Sequence, residues 1–189
     1  MTGQHLAYSS TTAFYVRHLL PDDVSKTYLS WLHDPEVTRY LAVHHSPPAN
    51  LDALRDWVES FDQKNKFIWG IFEATTQEHV GNATIYSVDR RNSRAHLGYM
   101  IGNREFWGRK VLLQCLPPIF DFAFDQLLLH KLTAAVDVRN ISSVISLKKL
   151  GFVKEGRFKE HIYEEGKYFS AVHYALFKEH WVSIRSHRS

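Results

Sequence analysis

The spacing of apolar residues in the first sixty positions is first strand-like and then helix-like. Residues 14–20 predict a strand that ends at Pro21, and Asp22 or Asp23 is a good N-cap for a helix that follows. Asn50 predicts the cap of a second helix, where apolar residues recur every three or four positions. The chain is therefore predicted to begin in the order β-α-α.

From residue 67 onward, segments with period-two alternation are interspersed with segments of helical spacing. Three alternating segments come first and indicate an antiparallel meander, and the chain ends in a hairpin around Glu165 and Gly166. The predicted strands are 67–74, 80–88, 95–101, 131–136, 157–163 and 168–177, and the predicted helices are 117–129 and 142–150. This order predicts a mixed α/β (α+β) sheet covered by helices.

Composition and charge narrow the class of protein. The chain has 189 residues, 44% of them hydrophobic, which suits one domain with its own core. A net charge of +3 does not indicate a nucleic-acid partner. Residues 1–13 lack the basic start and apolar core of a signal peptide, and no apolar run approaches the ~20 residues that span a bilayer. We therefore expect a cytoplasmic protein with no membrane and no nucleic-acid partner.

Several kinds of catalytic site are disfavoured by what the sequence lacks. Twelve histidines are present without an HxxxH or HExxH spacing, and Cys115 is the single cysteine, so we expect no metal site. No GxSxG phrase appears, which disfavours a covalent hydrolase. No GxGxxG phrase follows a predicted strand, which disfavours a dinucleotide-binding fold.

Several short phrases, taken in order, resemble the GNAT acyltransferase superfamily, and in particular its Rim-type branch, whose members acetylate protein N-termini. Their joint order is specific and covers residues 14–181. The phrases are WLHDPEVTRY (31–40), VGNA (80–83), LGYMIG (97–102), EFWG (105–108), NISS (140–143), KLGF (149–152), EG (155–156) and the ending YAL…W (174–181). The resemblance implies a mostly antiparallel sheet of about seven strands, splayed between strands 4 and 5 and flanked by about four helices. It implies one domain at 14–181, and we expect a flexible N-terminus at 1–13 and a flexible tail at 182–189.

The resemblance also implies acetyl-CoA as the acyl donor, bound where the fourth and fifth strands diverge. Met100 and Ile101 would pair with the pantetheine arm through their backbone groups, as an added strand pairs with a sheet edge. The pyrophosphate would sit on the N-terminus of the following helix. Asn140 would contact the pantetheine, and Ser143 would give a proton or hydrogen bond to the departing thiolate. The other interpretation of this segment is helix capping.

The loop that holds the pyrophosphate in relatives is altered in this chain. The family pattern is close to WGKGYGTEA, whereas residues 107–115 read WGRKVLLQC, so that Gly108 is the only glycine of the pattern that is kept. Lys110 and Leu112 carry Cβ atoms where the family usually has Gly or Ala, which hinders the approach of the backbone to phosphate. Arg109 and Lys110 either bind phosphate by charge or are surface cations beside a degenerate site. Pro117 and Pro118 are costly in a helix interior, which predicts a helix that begins near residue 116.

Candidate residues for the acceptor side are a histidine and two aromatic residues. His96 stands where the family often has Glu, and an imidazole with an unperturbed pKa of ~6.5 can deprotonate an amine. The alternative is a hydrogen-bonded histidine on a half-buried strand. Trp31 and Tyr40 lie in a segment that lines the acceptor cleft in relatives, although Trp31 is equally suited to a core.

The sequence therefore predicts an N-acyltransferase that moves an acetyl group from acetyl-CoA to a primary amine by direct attack in a ternary complex. The acceptor is a protein N-terminus, an amino sugar or a small amine, and the protein is a monomer or a homodimer. The alternative is a catalytically altered protein of the same fold, which binds a different ligand, a carrier arm or a partner chain because the pyrophosphate loop is degenerate.

Overall fold

The computed structural model describes residues 13–187, in which strands and helices are interspersed. The strands are β1 (Phe14–His18), β2 (Phe67–Glu73), β3 (His79–Asp89), β4 (Arg94–Ile101), β5 (Lys131–Asp137), β6 (Val153–Glu164) and β7 (Lys167–Phe177). The helices are α1 (Lys26–Leu32), α2 (Pro35–Thr38), α3 (Leu51–Glu59), α4 (Val111–Asp121), α5 (Ile141–Lys149) and α6 (Lys178–Ser186).

The strands form a seven-stranded mixed sheet in the order β1-β2-β3-β4-β5-β7-β6. Of the pairings resolved strand by strand, β4 with β5 is parallel and β1 with β2, β2 with β3, β5 with β7 and β6 with β7 are antiparallel. The β4–β5 ladder contains three residue pairs and ends with His96 opposite Thr133, although β4 continues to Ile101 and β5 to Asp137. The predicted mixed fold is confirmed.

The described chain divides into two compact units. The first contains residues 13–87 and Gly98–Ile119, and the second contains Val88–Leu97 and residues 120–187. The prediction that 14–181 is one domain stays a prediction. The predicted flexible N-terminus, 1–13, lies outside the described residues except for Ala13, whose N–H donates to Oε1 of Gln114 at 3.2 Å.

The first unit has a core in which α1 and α3 bury their apolar faces. Asn50 caps α3 as predicted, because its side chain accepts a hydrogen bond from the N–H of Ala53 at 2.9 Å. Ser25 caps α1 instead of either candidate aspartate, and Asp23 pairs with Arg17. The buried core residues are Leu19, Val24, Tyr28, Trp31, Leu32, Leu54, Val58, Ile68, Phe72 and Met100.

The second unit contains a C-terminal helix that the sequence analysis did not predict. Residues 182–186, which lie in the tail expected to be flexible, belong to α6, and residues 188–189 lie outside the described part. The flexibility of the tail stays a prediction. Trp181 is 0% exposed and donates from Nε1 to Asp121 at 2.8 Å. Arg185 pairs with both Asp121 and Asp125. A buried indole and two ion pairs therefore anchor this helix.

Helix α4 begins at Val111, not near residue 116 as predicted. Pro117 and Pro118 lie inside it. A proline in a helix interior costs about 3 kcal/mol because it removes a hydrogen bond and crowds the preceding turn. Leu116 and Phe120 are 0% exposed, and burial of such side chains offsets that cost.

Candidate active site

The end of β4 has two carbonyl groups that already face neighbours. The carbonyl oxygen of Met100 lies against Gly81 of β3, so closely that a Cβ at position 81 would overlap it. The carbonyl oxygen of Ile101 accepts a hydrogen bond from Nε1 of Trp107 at 2.9 Å. Each of these carbonyl oxygens therefore has a neighbour within the protein, and the pairing of Met100 and Ile101 with a pantetheine arm stays a prediction.

The two aromatic candidates for the acceptor side differ in exposure. Trp31 is only 6% exposed, its ring centre lies 5.6 Å from that of Tyr28, and it packs over Gly102. It is therefore a core residue, which was the second of its two interpretations. Tyr40 is half-buried just after α2, with the guanidinium of Arg39 5.0 Å from its ring centre.

The loop before α4 has a left-handed backbone at Gly108 and also at Lys110, one of the two positions where the glycine of the family pattern is missing. Gly108 has φ +77°, and no atom lies within 4 Å of the position that a Cβ would take there. Lys110 has φ +58°, the left-handed region that favours glycine. The guanidinium of Arg109 lies 4.9 Å from the ring centre of Phe106. The substitution at position 110 thus leaves the left-handed turn in place.

This turn leads directly into the N-terminus of α4. The helix starts at Val111, and the N–H of Leu113 donates to the carbonyl oxygen of Lys110 at 3.1 Å. The first amides of a helix have no partner within it, and the helix dipole favours negative charge there. Arg109 and Lys110 are exposed beside these amides. The residues present therefore suit an anionic group such as a pyrophosphate.

His96 lies in the second unit on the half-buried face of β4. Its Nδ1 is 2.8 Å from Oγ1 of Thr133, which lies opposite it on β5. Burial lowers the pKa of His96 below 6.5 because it disfavours the cation, and the charges of Arg94 and His173 lower it further. The imidazole is therefore neutral at pH 7 and has one nitrogen able to accept a proton.

Asn140 and Ser143 meet at the start of α5, also in the second unit. Asn140 is the N-cap, and its Oδ1 accepts from the N–H of Ser143 at 3.1 Å. The capping interpretation is thus what the structure shows for Asn140. The hydroxyl of the half-buried Ser143 is not required for this cap, because the backbone amide makes the bond.

The candidate residues fall into two sets, one in each unit. The first unit holds Trp31, Tyr40, Met100, Ile101, Gly108, Arg109 and Lys110, and the second holds His96, Asn140 and Ser143. Sequence reasoning missed Trp107 and Thr133, which bind the Ile101 carbonyl and the His96 ring. Nothing in the sequence pattern marks either contact, because each depends on strand register or on a loop turn.

Two further features bear on the chemistry. Burial raises the pKa of the Cys115 thiol to about 12, so this thiol is not a nucleophile at neutral pH. Within residues 13–187 no group of three or more His, Cys, Asp or Glu side chains is arranged to hold a metal ion. In the same part of the chain, every helix is too short or too polar to cross a membrane.

Comparison with known proteins identifies the family. The acetyltransferase (GNAT) domain family matches residues 14–153, well over half of the chain. The fold agrees, since the sheet is mixed and its fourth and fifth strands are parallel. The chain therefore belongs to the GNAT acetyltransferase family and is an acetyltransferase of that type.

Individual relatives agree with this assignment. An uncharacterized N-acetyltransferase, p20, from Bacillus licheniformis is 28% identical over 154 residues, 78% of this chain and 84% of that protein. The ribosomal protein uS5-alanine N-acetyltransferase of Escherichia coli (strain K12) is 27% identical over 143 residues, 75% and 73% of the two chains. RimL, a ribosomal L7/L12 alpha-N-protein acetyltransferase solved with coenzyme A, has a TM-score of 0.80 at 17% identity, and the match covers 92% of this chain and 98% of that one. At that identity the last comparison concerns the fold alone.

Proposed function

We propose that this acetyltransferase moves an acetyl group from acetyl-CoA to a primary amine by direct attack of the amine on the thioester. The observation that carries the proposal is the loop before α4. Gly108 and Lys110 both have a left-handed backbone just before the N-terminus of the helix, whose first amides favour an anion. This supports pyrophosphate binding at the loop, although Lys110 and Leu112 stand where the family pattern has glycine. Arg109 and Lys110 add two positive charges to that backbone.

His96 is the general base in this proposal. The amine must lose a proton as its nitrogen forms a bond to the thioester carbon, and a neutral imidazole can accept that proton. A base with a pKa below 6.5 is better matched to an α-amine, with a pKa of ~8, than to an alkyl amine near ~10.4. This difference favours a protein N-terminus as the acceptor, which is the kind of acceptor named for the Escherichia coli relative.

Ser143 and Asn140 serve the departing group. When the C–S bond breaks, the electron pair leaves with sulfur, and a nearby hydroxyl stabilises or protonates the thiolate. The backbone amide of Ser143 makes the helix cap, so its hydroxyl remains for this role. Asn140 orients the start of α5 and contacts the pantetheine arm in this proposal. Tyr40 contacts the acceptor, and Trp31 supports that region from the core.

Calorimetric titration with acetyl-CoA tests the donor site. We expect micromolar binding, weakened in an Arg109→Ala, Lys110→Ala double variant more strongly at low salt than at high salt, because salt screens exposed charges. The matched control, Lys26→Ala with Lys66→Ala, removes two exposed cations elsewhere in the first unit and leaves the affinity unchanged. No binding at millimolar acetyl-CoA would reject the proposal and favour a protein that uses this fold for another ligand.

Thiol release from acetyl-CoA tests the acceptor. The panel contains an alanine-initiated peptide, glucosamine and spermidine, which represent an N-terminal amine, an amino sugar and an alkyl amine. We expect the peptide to give the highest kcat/KM and His96→Gln to lower kcat for it. Faster turnover of spermidine would reject the pKa argument, and unchanged turnover in His96→Gln would reject His96 as the base.

A further inference from the structure

The second unit contains a short hydrogen-bond chain that ends on the His96 ring. Oγ1 of Thr133 lies 2.8 Å from Nδ1 of His96 and 3.2 Å from the carbonyl oxygen of Ala95. The parallel register of β4 and β5 places His96 directly opposite Thr133, so the backbone of the sheet fixes both side chains on the same face. Thr133 is itself half-buried, which limits competition from water.

The two contacts of Thr133 determine where the protons lie. A hydroxyl has one hydrogen to donate, whereas a carbonyl oxygen can only accept. If Thr133 donated to Nδ1, its lone pairs would face those of the Ala95 oxygen at 3.2 Å with no proton between them. If Thr133 donates to Ala95, both contacts are satisfied, because Nδ1–H of His96 then donates to Oγ1. The second arrangement is the favourable one.

We propose that Thr133 is a positioning residue, which holds neutral His96 in the tautomer protonated at Nδ1 so that Nε2 carries the lone pair. A neutral imidazole has a single N–H, so a proton fixed at Nδ1 leaves Nε2 as the acceptor. The catalytic part of this inference rests on the proposed function. In that reaction the amine nitrogen bonds to the thioester carbon, its proton passes to Nε2 of His96, and the C–S electron pair leaves with sulfur.

The surroundings of His96 keep its ring neutral at pH 7. Only a neutral imidazole has two tautomers, so the position of its single proton then determines which nitrogen can accept another. Burial lowers the pKa of His96, and two charged or titratable groups, Arg94 on the same strand and His173 on β7, lower it further. The hydroxyl of Thr133 does not titrate. Thr133 therefore acts on the site of protonation, while Arg94 and His173 act on whether the ring is charged.

Long-range ¹H–¹⁵N correlation spectra of the whole protein test the tautomer directly, because they distinguish protonated from unprotonated ring nitrogens. The signals of His96 among the twelve histidines are assigned by their absence in His96→Gln. We expect Nδ1–H with an unprotonated Nε2 in the wild type and in Thr133→Ser, which keeps the hydroxyl. In Thr133→Val, which suits a strand and removes the hydroxyl, we expect a mixture of both tautomers. An Nε2–H tautomer in the wild type, or an unchanged spectrum in Thr133→Val, would overturn the inference.

Kinetics with acetyl-CoA and the alanine-initiated peptide separate this inference from the proposed function. We expect Thr133→Val to lower kcat by roughly three- to tenfold and to leave KM for acetyl-CoA unchanged. The loss of one hydrogen bond reduces the population of the Nδ1–H tautomer of His96 by about this factor. Thr133→Ser restores kcat. If the tautomer shifts but kcat falls only in His96→Gln, the positioning role fails while His96 stands as the base. If neither variant changes kcat, both the positioning role and His96 as the base are rejected. If no amine is acetylated, the proposed function fails. In both cases the spectra still decide the tautomer.

Discussion

Replacement of Gly102 by alanine tests how the end of β4 is held against the core of the first unit. A Cβ at position 102 would overlap Cε3 and Cδ2 of Trp31, and it would lie 2.7 Å from Cγ of the same ring. Ordinary carbon–carbon contacts are ~3.5–4.0 Å. Because φ of Gly102 lies outside the left-handed region, alanine is conformationally acceptable there, and the steric overlap alone is tested.

The expected cost follows from how closely the ring is enclosed. Trp31 is 6% exposed, and its ring centre lies 5.6 Å from that of Tyr28 and 5.0 Å from that of His79. Overpacking of a core costs about 1–3 kcal/mol, and we expect the upper end because a rigid ring cannot yield to the methyl group. For a chain of this size, 3 kcal/mol corresponds to a fall in Tm of about 6–12 °C.

Thermal and urea unfolding measure this cost, and the chain offers a matched control. Gly156 also lies in a strand, but no atom is within 4 Å of its Cβ position, so Gly156→Ala should change the free energy of unfolding by less than ~1 kcal/mol. In a Trp31→Leu background the ring atoms are gone, and Gly102→Ala should cost less than ~1 kcal/mol there. Equal costs for Gly102→Ala with and without Trp31, or a cost equal to that of Gly156→Ala, would refute the steric argument.

Three further predictions concern the first unit. Burial lowers the pKa of His79 to about 4, whereas in the unfolded state the same imidazole binds a proton below about pH 6.5. The free energy of unfolding should therefore fall by up to ~3 kcal/mol as the pH drops from 6.5 to 4. Urea unfolding at both pH values should show a smaller loss in His79→Phe. Tyr28→Phe removes the acceptor at 2.6 Å from Nδ2 of the buried Asn82, and thermal unfolding should show a cost of about 1–3 kcal/mol. Lys110→Gly should stabilise the protein by ~0.5 kcal/mol, because relief of about 1–2 kcal/mol of left-handed strain exceeds the entropy cost of glycine.

Each of these predictions has an outcome that contradicts it. For His79, the same acid loss in His79→Phe would show that other groups cause it. For Tyr28, a cost below ~0.5 kcal/mol would mean that the Asn82 amide finds another partner. For Lys110, the control is Lys110→Ala, which keeps a Cβ and should gain nothing; equal stability of the glycine and alanine variants would contradict the strain argument.

The fold was predictable from the sequence wherever burial imposes a period. Alternate residues of β5, namely Leu132, Ala134 and Val136, are buried, and this alternation was visible in the sequence. The predicted start of α4, near residue 116, was wrong because the cost of the two prolines was considered without the burial of the side chains around them. Helix α6 was missed because its anchors, Asp121 and Asp125, are some sixty residues away along the chain.

The candidate site was predictable in its residues but not in their hydrogen bonds. His96, Asn140 and Ser143 stand out by their place in a sequence pattern, whereas the Thr133 contact with His96 depends on the register between two strands that are far apart in sequence. Similarly, the indole of Trp107 reaches Ile101 only because a 3₁₀ turn intervenes. The sequence pattern therefore identifies which side chains are candidates, whereas the register between strands determines which atom of each side chain makes a hydrogen bond.

Two kinds of glycine position in these phrases bear on the altered loop. Gly81 and Gly102 are needed because a Cβ would enter space already filled by Met100 and Trp31, so any side chain there displaces the end of β4. Gly108 and the residue at position 110 are needed for a left-handed backbone in open space, a requirement that a non-glycine residue can meet at a cost of about 1–2 kcal/mol. Lys110 meets it in this way. The left-handed backbone at position 110 is therefore present without a glycine, and measured affinity for acetyl-CoA decides whether this loop binds a pyrophosphate.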